Sequence, residues 1–93
     1  MKVIYKYQLE VKPVNDLEID PEGKILSVQV QDGKIMMWVL ANPSNKTVLR
    51  RFSIYGTGHA IATVNEGRYI ATIQERRFVW HIFEESAGEE SVE

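Results

Sequence analysis

Between Arg50 and His59 the chain reads Arg-Arg-Phe-Ser-Ile-Tyr-Gly-Thr-Gly-His. Two guanidinium groups, a glycine-broken backbone and a titratable imidazole fall within one short stretch. Glycines let neighbouring N–H groups point the same way, and such a nest binds anions. With Arg50 and Arg51 just upstream, a phosphate or nucleotide-like ligand is chemically sensible. On this reading Arg50, Arg51, Gly56, Thr57, Gly58 and His59 form a ligand site. The plainer use of the same residues is a tight connection in which the glycines supply turn geometry and His59 caps a backbone carbonyl. The loop lacks the strand-to-helix setting of a P-loop or a dinucleotide fingerprint.

His59 and His81 are the two histidines of the sequence. A metal site would need both of them with Glu66 or Glu75, at a spacing that matches no ligand pattern. No metal and no cofactor is therefore expected. Hydrolysis through a nucleophile needs a hydroxyl, a base and an orienting acid. Ser53, Thr57 and the histidines supply the types, but nothing groups them, and the scattered carboxylates make no catalytic pair. The protein is expected not to be an enzyme. A small hydrolase would require His59 or His81 within hydrogen-bond reach of a hydroxyl.

The elements that must carry these residues read as strands. Val3, Tyr5, Tyr7 and Leu9 alternate with Ile4, Lys6, Gln8 and Glu10, the period of a strand with one apolar face. Lys12 to Asp16 breaks it around Pro13, and Leu17 and Ile19 begin a short second strand. Asp20-Pro21-Glu22-Gly23 is a turn. In Lys24–Gln31, Leu26, Val28 and Val30 face one way and Ser27, Gln29 and Gln31 the other. Asp32-Gly33 then predicts a tight hairpin. Residues 35–41 return, Asn42-Pro43-Ser44-Asn45 turns, and 47–55 run with Phe52 and Ile54 inward and Arg51 and Ser53 outward. Residues 56–67 are irregular, with Ile61, Ala62 and Val64 in a helical turn or an extended piece. Tyr69–Gln74 and Phe78–Phe83 close the set, joined by a turn at Glu75-Arg76-Arg77. No segment keeps a helical period. The expected fold is all-β: a small antiparallel β-sandwich or open barrel of six to seven strands.

Two of these strands, 35–41 and 78–83, are apolar on both faces. Met36, Trp38, Leu40, Val79, His81 and Phe83 fall opposite the core sets. They are expected either under a second sheet or at an interface, with Trp38 and Phe83 as anchors and a homo-oligomer as one outcome. Arginines with Tyr55, Tyr69 and Phe78 invite comparison with single-strand nucleic-acid binders. The charge is too small for that: outside the last ten residues, 11 basic residues face 8 acidic ones, a balance of +3. Nucleic acid is not the expected partner.

Ninety-three residues make one domain, read here as 1–84, with 85–93 as a flexible acidic tail. A hydrophobic content of 44% is that of a folded chain rather than a disordered one. Zero cysteines exclude disulfides and thiolate chemistry, and no apolar run reaches the length of a membrane span.

Lys2–Tyr7, Lys24–Gly33, Trp38, Arg51–His59 and Phe78–Glu84, taken together, resemble a family of small uncharacterised proteins encoded by bacteriophages and prophages. The resemblance implies a phage origin and action in the cytoplasm of the bacterial host, and carries no catalytic residues. The expected function is a non-enzymatic binding protein, in the manner of phage counter-defence proteins. It would bind a host bacterial protein or sequester a small anionic ligand. The alternative is a structural or assembly component of the phage particle acting as a homo-oligomer.

Overall fold

A computed structural model describes residues 1–62 and 67–85. The alternating segments become seven strands: β1 (Val3–Leu9), β2 (Val14–Ile19), β3 (Lys24–Gln31), β4 (Lys34–Ala41), β5 (Val48–Gly56), β6 (Arg68–Glu75) and β7 (Phe78–Glu84). They pair antiparallel in two sheets, β1-β4-β3 (sheet A) and β2-β5-β7-β6 (sheet B). The described residues contain no helix. The extents of 39 × 37 × 16 Å are those of two stacked layers, since sheets pack about 10 Å apart. The edges β3 and β6 come into contact without forming a ladder, so one side of the sandwich is partly closed.

The core follows from the strand period. In β4, Ile35, Met37, Val39 and Ala41 are buried, while Met36, Trp38 and Leu40 lie on the other face. Phe52 and Ile54 of β5 and Ile82 of β7 meet them from sheet B, with Leu9, Ile19, Val28 and Ile73 completing the cluster. The β3–β4 hairpin has Asp32 at φ 53° and Gly33 at φ 76°. That is the positive-φ pair a two-residue turn needs in order to match strand twist.

Three readings of the sequence change. A bulge between Ile25 and Ser27 shifts the register of β3 against β4. Ile25 and Val28 face the core, and Leu26 is left 45% exposed. An extra residue on one strand reverses the parity of everything before it, which alternation alone does not reveal. Second, β2 begins at Val14, directly after Pro13. Asn15 is buried and closes the β1–β2 turn, donating from Nδ2 to the Glu10 carbonyl (3.0 Å) and accepting the Glu10 N–H (2.9 Å). Third, Glu84, one residue past the expected last strand, is the last residue of β7. Glu85 follows it into the structure. Its N–H donates to the Arg51 carbonyl (2.9 Å), and its carboxylate accepts the Ser53 hydroxyl at 2.5 Å. Val64 and the acidic residues from 86 onward lie outside the described residues.

A polar network ties the turns at one end. The buried Asp20 carboxylate accepts from the N–H groups of Glu22 (2.9 Å) and Asn42 (2.8 Å) and from the Asn45 amide (2.9 Å). It thus pins the β4–β5 turn to the β2–β3 turn. Gly23 has to be glycine here, because a Cβ would stand 2.8 Å from Val39 Cγ1 and 3.1 Å from the Asp20 carbonyl oxygen.

Candidate functional site

Consecutive strand residues point to opposite faces, and this parts Arg50 from Arg51. Arg50 shares the inner face with Phe52 and Ile54 and is buried. Its guanidinium donates to both Glu84 oxygens, Nε to Oε2 at 2.6 Å and Nη2 to Oε1 at 2.9 Å. Nη1 donates to the carbonyls of Asp20 and Gly23, each at 2.9 Å. The Glu84 hydrogen bonds, first among the causes, hold the Arg50 pKa above its usual value. Arg51 lies on the outer face and grips Asp16 with two bonds, Nε–Oδ1 at 2.8 Å and Nη2–Oδ2 at 3.0 Å. Of the six residues read as a ligand site, Gly56 to His59 stay together, and the two arginines are turned away on opposite faces of sheet B.

Gly56 to His59 form a tight turn closed on itself. The His59 N–H donates to the Gly56 carbonyl (3.1 Å), and Gly58 holds φ 91°. The His59 ring folds back so that Nδ1 accepts the Gly56 N–H (3.1 Å). A capping histidine was expected, but the group it caps is an N–H rather than a carbonyl. With Nδ1 accepting, a neutral His59 carries its proton on Nε2. The ring occupies the place of a side chain at Gly56, where a Cβ would lie 2.9 Å from His59 Cε1. Two of the N–H groups that a nest would offer an anion are therefore engaged within the loop.

Gly56, Thr57 and His59 line a hollow of about 540 Å³ together with Arg77, Phe78, Val79 and Trp80. The Phe78 and Trp80 rings stack at 5.7 Å and 25°. Phe78 is 52% exposed, while Trp80 packs against the core. Gly56 stands opposite Trp80 in the β5–β7 ladder. A second hollow, about 730 Å³, opens at the β3–β6 seam beside Lys24, Arg50 and Arg68. Its guanidinium groups already share the Glu84 carboxylate, with Arg68 Nη2 at 3.3 Å.

The six residues read as an interface are split between the two outer faces. Met36, Trp38 and Leu40 run along the centre of sheet A, flanked in register by Gln8, Lys6 and Ile4 of β1 and by Gln29, Ser27 and Lys24 of β3. Val79, His81 and Phe83 lie on the outer face of sheet B. There Phe83 packs edge-on between Tyr55 (5.9 Å) and Tyr69 (5.6 Å). No single flat contact can bury both sets.

His81 does sit beside hydroxyls. Its Nε2 is 2.7 Å from Thr57 Oγ1 and its Nδ1 2.9 Å from Thr72 Oγ1, and Thr72 is in turn bonded to the Tyr69 hydroxyl (2.8 Å). The hydroxyl that a hydrolase asks for is thus present, but both ring nitrogens are spent on threonines. Among the described residues no carboxylate orients either histidine, and no three His, Asp or Glu side chains gather to hold a metal. The sequence held a signal for the Thr72–His81 pair, since both fall on the outer faces of adjacent strands. It held none for Thr57, whose place depends on the turn.

The model of a domain of unknown function, DUF7352, matches the chain over residues 1–93. Neither the curated proteins nor the solved structures contain a match.

Proposed function

The chain belongs to the DUF7352 family, and we propose that it is a non-enzymatic binding protein that docks the outer face of sheet A onto an acidic surface of another protein. One observation carries this reading. Within the three strands that face presents Ile4, Met36, Trp38 and Leu40 beside Lys6, Lys24 and Lys34, with no carboxylate among them. An apolar strip with a tryptophan at its centre and a charged margin is the composition of a protein-binding patch. The sign of the margin selects the partner. Two copies meeting through this face would set lysine against lysine, whereas an acidic surface is complementary. The resemblance to phage-encoded proteins supplies the setting, in which the partner is a host protein of the bacterial cytoplasm and the binding serves the phage against its host.

The test is capture from a bacterial lysate with the tagged chain, followed by binding of the purified partner. Lys6→Glu with Lys24→Glu should weaken the complex by about tenfold or more while the circular dichroism spectrum stays unchanged, and added salt should weaken the complex of the unsubstituted chain. Val79→Asp, on the other sheet, should leave it intact. Binding that ignores the lysine reversals but fails with Val79→Asp would move the interface to sheet B. A chain that associates only with itself would favour the homo-oligomeric assembly role instead.

A further inference from the structure

We propose that the hollow at the Gly56–His59 turn is a binding site for a planar aromatic anion, an aromatic ring carrying a phosphate or carboxylate. The site lies at the other sheet from the lysine face, so it stands or falls separately from the protein-binding reading. Three observations converge on it. The first is an unpaired cation. Among the described residues, Arg50 and Arg68 pair with Glu84 and Arg51 pairs with Asp16, whereas Arg76 and Arg77 make no ion pair. Arg77 is also the arginine that lines this hollow. No carboxylate lines it; the nearest to the platform is Glu75, whose Oε1 accepts from Trp80 Nε1 at 3.4 Å.

The second observation is the apolar part of the lining. Phe78 is stacked on Trp80 and yet leaves half of its surface to solvent. A ring pair anchored in the core on one side and open on the other is a platform for a further ring, and stacking of this kind needs no particular base or substituent. A guanidinium beside such a platform recognises a planar anion twice, through charge and through its own flat face.

The third observation is the way the walls are held. The two-residue turn that presents Arg77 has Arg76 at φ 58°, a conformation that costs a non-glycine residue free energy. On the facing wall the His59 ring is fixed by its bond from the Gly56 N–H, and Thr57 is tied to His81. The neutral His59 ring then has its Nε2–H left to donate to an acceptor on the ligand. The nest drawn from the sequence plays no part in this site. The aromatic pair and Arg77 replace it.

The experiment uses the full chain with Trp38→Phe, so that Trp80 is the sole tryptophan, and follows its fluorescence. Adenosine monophosphate, adenosine and inorganic phosphate are titrated in parallel. Adenosine monophosphate is expected to change the emission saturably. Adenosine should bind about tenfold or more weakly, a loss of about 1.4 kcal/mol, and phosphate alone should not reach the affinity of the nucleotide. Arg77→Gln should cost the nucleotide a similar factor and adenosine nothing, and Phe78→Leu should weaken both. Absence of saturable change with adenosine monophosphate up to about 1 mM would overturn the proposal. So would equal binding of nucleotide and nucleoside that Arg77→Gln leaves untouched.

Discussion

Arg50 sets more of this structure than any other single residue. One guanidinium bonds the carboxylate of β7 and two carbonyls of the β2–β3 turn, so it joins three segments far apart in sequence. A planar group with five N–H donors can do this, whereas a lysine offers one point charge. Removing one partner of a buried pair leaves the other charge uncompensated. Arg50→Met, close in length but uncharged, should therefore lower the free energy of unfolding by about 3–5 kcal/mol, read from urea titrations of the two proteins. A loss under about 1 kcal/mol would mean that the pair is incidental to the fold. The role of Arg50 was legible in the strand period, because Arg50, Phe52 and Ile54 share a parity and Arg51 has the other. Two adjacent arginines of opposite parity divide between core and surface and make no single basic patch. The match of Arg50 to Glu84 was harder to see, since it depends on β5 pairing with β7.

At the scale of the element, turns were read more reliably than faces. Asp32-Gly33 and Glu75-Arg76-Arg77 fall where glycine or short polar pairs predict, because turn chemistry is local. The bulges at Ile25–Ser27 in β3 and Tyr69–Ala71 in β6 were not legible. A bulge is a relation between two strands, and only one of them is in view when a segment is read alone. Gly67, which leads into β6, shows how tightly such a strand end is set. It sits at φ 38°, and a Cβ there would overlap the Glu84 carbonyl oxygen, whereas at Gly33 (φ 76°) nothing lies within 4 Å. Gly33→Ala carries only the positive-φ cost, about 1–2 kcal/mol. Gly67→Ala carries that cost and a clash with backbone, so it should be the more damaging of the two by a clear margin in thermal melts. If the two variants melt together, the approach of Gly67 to β7 is looser than this geometry requires.

For the molecule as a whole, the same contacts set how stability depends on pH. The Asp20 carboxyl is held below the ordinary carboxylate range, chiefly by the Asn42 N–H, then by the Asn45 amide and the Glu22 N–H. Asp16 is lowered first by its hydrogen bonds from Arg51. A group whose pKa is lower in the folded state binds its proton more tightly when unfolded, so folding is favoured above the unfolded value and loses that support in acid. The unfolded value for aspartate is about 3.9. Stability should thus hold steady from neutral pH to about pH 5 and then fall as the pH drops through and below that value. Tyr7 works in the opposite direction. Burial, with the nearby Tyr5 adding to it, raises its pKa, so its contribution is complete below about pH 10 and is lost above it. The plateau between these limits is the range in which both proposed surfaces can be assayed on folded protein. Asp20→Asn isolates the acid limb. The variant is less stable at neutral pH, because an amide cannot accept the same three bonds, but its stability should fall less steeply between about pH 5 and pH 2, by up to one proton in the slope. Denaturant midpoints measured across that range for the two proteins give the comparison directly. Parallel acid limbs would show that Asp20 keeps its usual affinity for the proton in the folded chain. The two turns would then be joined by something other than its charge.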